Sequence, residues 1–178
     1  MNIITTQKEW DEILPKRSGQ ELLKVLGSCR QKKHSLSGAA SQPIPCLVLL
    51  YGAARENKMA ATALIAVALQ QEAYRVDLLA IVSKYIGETE KNLDAVFDKA
   101  EKANWILFFD EADALFGKRT DVKDAHDKYA NQEISYLFQK IEKYKNPVLI
   151  ATRNKTQLPS YILRHFHSVI NFPENKKS

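Results

Sequence analysis

The run Ile106-Leu107-Phe108-Phe109 ends in Asp110-Glu111-Ala112-Asp113. Continuous apolarity closed by carboxylates describes a buried strand that delivers acid to the edge of a sheet. In phosphate-hydrolysing folds the first such acid, here Asp110, holds Mg²⁺, and the second, here Glu111, activates water. That chemistry also needs a loop to receive phosphate, with the working pattern GxxxxGK[ST] between a strand and a helix. The residues Gly52-Ala53-Ala54-Arg55-Glu56-Asn57-Lys58-Met59 stand in that place. Gly52 and Lys58 keep the pattern, and the candidate nucleotide contacts are Gly52, Ala54, Arg55, Asn57, Lys58 and Met59. Asn57 replaces the second Gly, and Met59 replaces the hydroxyl residue. Asn tolerates left-handed backbone better than most side chains, but it fills space where the backbone should touch phosphate. A thioether is a poor ligand for a hard cation, and Glu56 adds a carboxylate to the loop. Intact acids beside an altered loop predict that ATP and Mg²⁺ bind weakly or not at all. No cofactor is required for folding.

The elements that must position these residues are legible as alternating runs. Cys46-Leu47-Val48-Leu49-Leu50-Tyr51, Tyr74-Arg75-Val76-Asp77-Leu78, Trp105 with the run to Phe109, Pro147-Val148-Leu149-Ile150-Ala151 and Ser168-Val169-Ile170-Asn171-Phe172 read as strands. Helical patterns span 58–70, 89–102 with Leu93, Val96, Phe97 and Ala100, and 127–143 with Ile134, Leu137, Phe138 and Ile141. A further helix is predicted over 18–32, with Leu22, Leu23 and Leu26 on one side, and a Ser/Gly/Pro-rich loop over 35–45. Strands alternating with helices, with continuous apolarity in the strands, indicate a parallel sheet covered on both faces. The expected class is α/β, a three-layer P-loop NTPase-like sandwich with about five parallel strands flanked by helices. The expected division is an N-terminal helix and linker over 1–45 packing on the core, an α/β domain over 46–173 and a tail over 174–178.

Composition narrows the function classes. The 178 residues suit one domain, and 45% hydrophobic with 26% charged content is ordinary for a globular chain. No apolar stretch approaches the roughly 20 residues that cross a bilayer, and the first ten residues lack the layout of a signal peptide. No membrane partner is expected. The net charge of +5 is scattered among acids, and the basic cluster Arg30-Gln31-Lys32-Lys33-His34 has no interleaved aromatic to stack a base. No nucleic-acid partner is expected. Cys29 and Cys46 lack CxxC spacing, so neither a disulfide framework nor a zinc site is expected, and a reducing cytoplasm is the default. Cys46 is read as a buried small hydrophobe.

Three further segments carry a family resemblance. Ser83-Lys84-Tyr85-Ile86-Gly87-Glu88-Thr89-Glu90-Lys91-Asn92-Leu93 resembles the pore-loop segment of AAA+ ATPases and the helix after it. The run from Ile106 to Phe116 resembles their Walker B strand, and the residues from Thr152 to Pro173 their sensor 1 segment and second region of homology. The stretch Phe116-Gly117-Lys118-Arg119-Thr120-Asp121-Val122-Lys123-Asp124-Ala125-His126 resembles AAA+ proteins associated with bacterial contractile injection systems. The resemblance implies that Asp110 is the Mg²⁺-coordinating acid and Glu111 the water-activating base. It implies that Tyr85, with Ile86 and Gly87, grips a polypeptide threaded through a ring. It also exposes departures. The sensor Asn after Ala-Thr is replaced by Arg153, with Asn154 one place late. The arginine-finger positions carry His165 and His167, with Arg164 beside them. A finger is worth roughly a thousandfold in rate, and His lacks the guanidinium fork. The family's helical lid is expected to be absent, because the sequence stops after the last strand.

These departures converge on one chemistry, so the first functional expectation is a pseudo-ATPase: a regulatory or protein-binding module. Its partners would be a protein client or related AAA+ subunits in a homo- or hetero-oligomer. The alternative is an ATP-binding, slowly hydrolysing AAA+ ATPase that acts on protein substrates in a ring and depends on neighbours for missing groups.

Overall fold

The computed structural model describes Leu22 and residues 46–116, 125–158 and 160–173. Outside the described residues lie the predicted 18–32 helix (apart from Leu22), the 35–45 loop, Cys29, the 174–178 tail and positions 117–124 of the stretch after Phe116.

The strand-like runs form β1 (Leu47–Tyr51), β2 (Ala73–Asp77), β3 (Ile106–Asp110), β4 (Val148–Thr152) and β5 (Ser168–Asn171). Between them lie α1 (Arg55–Leu69), α2 (Leu78–Ile81), α3 (Glu88–Ala103), α4 (Asp113–Phe116), α5 (Ala125–Lys143), a 3₁₀ turn (Lys155–Gln157) and α6 (Ser160–Leu163). The strands pair in parallel in the order β2-β3-β4-β1-β5.

Successive strand residues point to opposite faces, and both faces are apolar. Leu47, Leu49, Leu107, Phe109, Val148 and Ile150 share one buried cluster with Leu93 and Phe97 of α3 and Ile134, Leu137 and Ile141 of α5. Val48, Leu50, Phe108, Leu149 and Ala151 share the other with Ala61, Leu64 and Ile65 of α1, and with Leu22. This two-sided burial explains why the runs are continuous rather than alternating. Helices α1 and α3 stop at Gln70 and Asn104, whose left-handed backbone turns the main-chain amide back onto the last carbonyls.

Two expectations need correction. Helix α1 begins at Arg55 rather than Lys58, which shortens the loop after β1. Cys46, just before β1, is disulfide-bonded, so it is not the free buried thiol expected from cysteine spacing. Stable disulfides belong to oxidising surroundings, so cysteine usage no longer supports a reducing compartment. No helix among the described residues is long and apolar enough to cross a membrane.

Candidate functional site

The site lies at the C-terminal edge of the sheet. In-register pairing brings Tyr51 beside Thr152 and Asp77 beside Asp110. Gly52 turns the chain out of β1 with φ 122, and its N–H donates to the Thr152 carbonyl at 3.2 Å. A Cβ at this position would lie 2.1 Å from the Phe172 carbonyl oxygen, so no other residue fits without backbone movement. Only Ala53 and Ala54 separate Gly52 from α1, and Ala54 caps the helix without a side-chain bond. The Lys58 amide already donates to the Ala54 carbonyl at 3.3 Å. Asn57 therefore sits in the first helical turn. Among the described residues only Gln70, Asn104 and Glu111 are non-glycine residues with positive φ, so the left-handed tolerance of Asn57 is not used.

Lys58 is 3% exposed. Its Nζ donates to the carbonyls of Gly52 at 2.8 Å and Thr152 at 3.0 Å. The ammonium thus ties the turn after β1 to the end of β4. Burial pushes its pKa below the usual lysine value, against the attraction of Asp110, Asp113 and Glu111. Met59 is exposed on the outside of the helix.

Asp110 is 2% exposed at the end of β3. Its Oδ2 accepts from Arg55 Nε at 3.1 Å and Nη2 at 2.9 Å, and from Arg75 Nε at 2.8 Å, with Arg75 Nη2 also 2.8 Å away. Its Oδ1 accepts from the Glu111 amide at 3.0 Å. Burial alone would raise its pKa, but the hydrogen bonds from Arg55, Arg75 and the Glu111 amide outweigh it and hold the carboxyl below the ordinary carboxylate value. Arg75 was not singled out from sequence; the signal was a charged residue inside the short strand Tyr74-Arg75-Val76-Asp77. Glu111 has left-handed backbone at φ 53 and lies 3.9 Å from Arg55 and 3.5 Å from Arg153. Asp113, at the start of α4, accepts from the Thr152 hydroxyl and from the Arg153 amide at 2.9 Å.

These residues do not fit a divalent cation. Both carboxylate oxygens of Asp110 already accept hydrogen bonds, and the position that should supply a hydroxyl carries an exposed thioether. No group of three or more His, Cys, Asp or Glu able to hold a metal occurs among the described residues.

The remaining candidates divide by place. Arg153 reaches Glu111, whereas the Asn154 side chain accepts from the Thr156 amide and hydroxyl and caps the 3₁₀ turn. Arg164, His165 and His167 precede β5, at the opposite edge of the sheet from Asp110. His165 is exposed, with its ring 4.9 Å from that of Phe138 and its Nδ1 3.8 Å from Glu142. His167 Nδ1 accepts from the Leu47 amide at 3.2 Å, while its own amide donates to the Leu47 carbonyl at 2.9 Å. A nitrogen that accepts carries no proton, so in this arrangement the His167 ring nitrogen splices β5 to β1 and does not act as a cationic donor fork.

The loop between α2 and α3 is built differently. The Glu88 amide donates to the Tyr85 carbonyl at 3.3 Å, and Gly87 has φ 79 and ψ −5, the third position of a type II turn. Ser83 braces it: its hydroxyl bonds Glu88 at 2.6 Å and accepts from the Tyr85 amide at 3.2 Å. Tyr85 and Ile86 stand 60% and 79% exposed at the tip.

Comparison with known proteins gives one consistent result. The family described as "ATPase family associated with various cellular activities (AAA)" matches residues 48–174. Cell division protein C of Sulfolobus acidocaldarius is 30% identical over 132 residues, which are 69% of this chain and 35% of that protein. The proteasome-activating nucleotidase of Pyrococcus furiosus is 31% identical over 115 residues, 62% of this chain and 29% of that one. The chain thus spans about a third of the length of these curated relatives. The FIGL-1 AAA domain, solved in complex with ADP, aligns with TM-score 0.67 over 92% of this chain and 55% of its own, at 18% identity, a likeness of fold.

Proposed function

Because the chain belongs to the ATPase family associated with various cellular activities, AAA, we propose that it is a AAA module that holds a protein partner and hydrolyses little or no ATP itself. Its five-stranded parallel sheet between helices has the AAA arrangement. The observation that carries the proposal is the state of Asp110. The acid that would take Mg²⁺ is buried under two guanidiniums and a main-chain amide. Lys58, the residue that would meet phosphate, is bonded to two carbonyls instead. Residues 46–173 form the working domain in this reading, and Leu22 supports packing of the N-terminal segment on its α1 face. Tyr85, Ile86 and Gly87 form the gripping loop toward a protein client. Related AAA subunits, of this or another chain, complete the assembly. The sequence from Phe116 to His126 supports a host in a bacterial contractile injection system.

Phosphate release, measured with calorimetric titration of Mg·ATP, tests the proposal. The expected rate is that of the Glu111→Gln variant, which is background. The second reading, a slow ATPase completed by neighbours, is favoured by one observation: Asp110 still ends the interior strand β3, with Glu111 directly after it. Saturable turnover abolished by Glu111→Gln would establish that reading and end the first. Improved nucleotide binding by the pair Asn57→Gly and Met59→Thr is expected, because it restores the phosphate-loop pattern.

A further inference from the structure

We propose that Arg55 and Arg75 occupy the place of the divalent cation, so that the site receives a metal-free polyphosphate, such as the phosphates of an uncomplexed nucleotide, and excludes Mg²⁺. The inference rests on the same site as the proposed function, but it concerns the ligand and not turnover.

The geometry is that of a built-in cation. Both guanidiniums converge on one oxygen of Asp110 within 2.8–3.1 Å. They arrive from different elements, Arg55 from the start of α1 and Arg75 from β2, so each is placed by regular secondary structure and not by a loop. Asp110 beneath them is 2% exposed, while their own side chains are 49% and 39% exposed. The acid is therefore capped from the solvent side, where a metal would have to enter. Both positive charges bear on the one carboxylate of Asp110, with Glu111 3.9 Å from Arg55 and Asp77 3.9 Å from Arg75 as further acids. Arg153, 3.5 Å from Glu111, adds a third guanidinium at the same mouth. A divalent cation there would meet repulsion from each of them and would have to displace charge-assisted hydrogen bonds.

The same arrangement favours an anion. A guanidinium carries five N–H donors in a fixed fork, and the Asp110 contacts engage only Nε and Nη2 of each arginine. Donors remain on the solvent side. The first amides of α1 emerge beside them, with no side chain capping that helix. Glu111 and Asp77 lie nearby and keep the pocket from being uniformly positive: Asp77 is 3.9 Å from Arg75, and Glu111 is 3.9 Å from Arg55. A polyphosphate carries several charged oxygens along its length and so engages more than one guanidinium at once more readily than a single small anion does.

Two measurements on the full chain test the proposal. Mn²⁺ is titrated and followed by electron paramagnetic resonance, first without phosphate and then with tripolyphosphate. No site dependent on Asp110 is expected in the wild type, and the double substitution Arg55→Met with Arg75→Met is expected to create one. A wild-type Mn²⁺ site lost in Asp110→Asn overturns the proposal, and this arm needs no arginine variant to fold. Tripolyphosphate and ATP are then titrated by calorimetry in EDTA and in Mg²⁺. Binding is expected in EDTA, not strengthened by Mg²⁺, and weakened about tenfold by either single arginine substitution. Absent binding in EDTA, or binding that requires Mg²⁺, overturns the proposal. Exclusion of Mn²⁺ together with measurable turnover would sink the proposed function alone; Mn²⁺ at Asp110 without turnover would sink this inference alone.

Discussion

Two neighbouring regions at the C-terminal edge of the sheet use their residues in opposite directions. Around Asp110, charged groups are answered from within the chain: Lys58 by two carbonyls, Asp110 by Arg55 and Arg75, Glu111 by Arg153. Around Tyr85, the polar groups serve the turn, and the large apolar side chains face solvent. The first region spends its chemistry on holding strands together. The second holds its backbone and leaves its contact groups available. A domain can therefore keep large apolar side chains exposed on one loop while the acid at its metal position becomes part of its own scaffold.

The two glycines give the strongest way to break this comparison. Gly52 and Gly87 both have positive φ, but a Cβ at Gly52 would strike the Phe172 carbonyl, whereas a Cβ at Gly87 meets nothing within 4 Å. Gly52→Ala should cost at least about 3 kcal/mol in denaturant melts. Gly87→Ala should cost about 1 kcal/mol, from left-handed strain alone. Equal costs would mean that the closed region is not closed.

Next in size is Asp110→Asn. Removing the charge between two arginines should cost about 2 kcal/mol at neutral pH. Because folding holds the Asp110 carboxyl below its ordinary value, the stabilisation is complete above the unfolded pKa near about 4 and is lost as pH falls through the folded value. The gap between wild-type and variant melting temperatures should thus narrow on acidification below that range. A gap that widens there would refute the clamp.

The smallest effect is expected at the loop tip. Tyr85→Ala should change stability by less than about 0.5 kcal/mol, because the ring rests mainly in solvent with Lys84 5.4 Å from its centre. A melting temperature lowered by many degrees would show that the tyrosine serves the fold and would erase the contrast.

Much of the fold was legible because each strand is buried on both faces and so reads as an unbroken apolar run; β1, β3 and β4 are nearly fully buried. The acids at the end of β3 were likewise visible in residue type and spacing, and the turn at Tyr85-Ile86-Gly87 was visible through the family resemblance. The start of α1 was misplaced, since Arg55-Glu56-Asn57 was read through the phosphate-loop pattern, and the helix's own hydrogen bonding claimed those residues first. The disulfide at Cys46 was missed because cysteine spacing without a CxxC pattern carries no local signature.

The sequence by itself determined the strand set, the bodies of the three long helices α1, α3 and α5 and the family, because burial periodicity and short motifs are local properties of a chain. Only the tertiary structure decided what the site residues do. Arg75 stands 35 positions from Asp110 and Thr152 stands 94 from Lys58, and sheet pairing is what brings each pair within hydrogen-bonding distance. Hydrogen-bond partners are set by such through-space neighbours. An intact acid and an intact lysine therefore belong, in the folded protein, to arginines and to carbonyls.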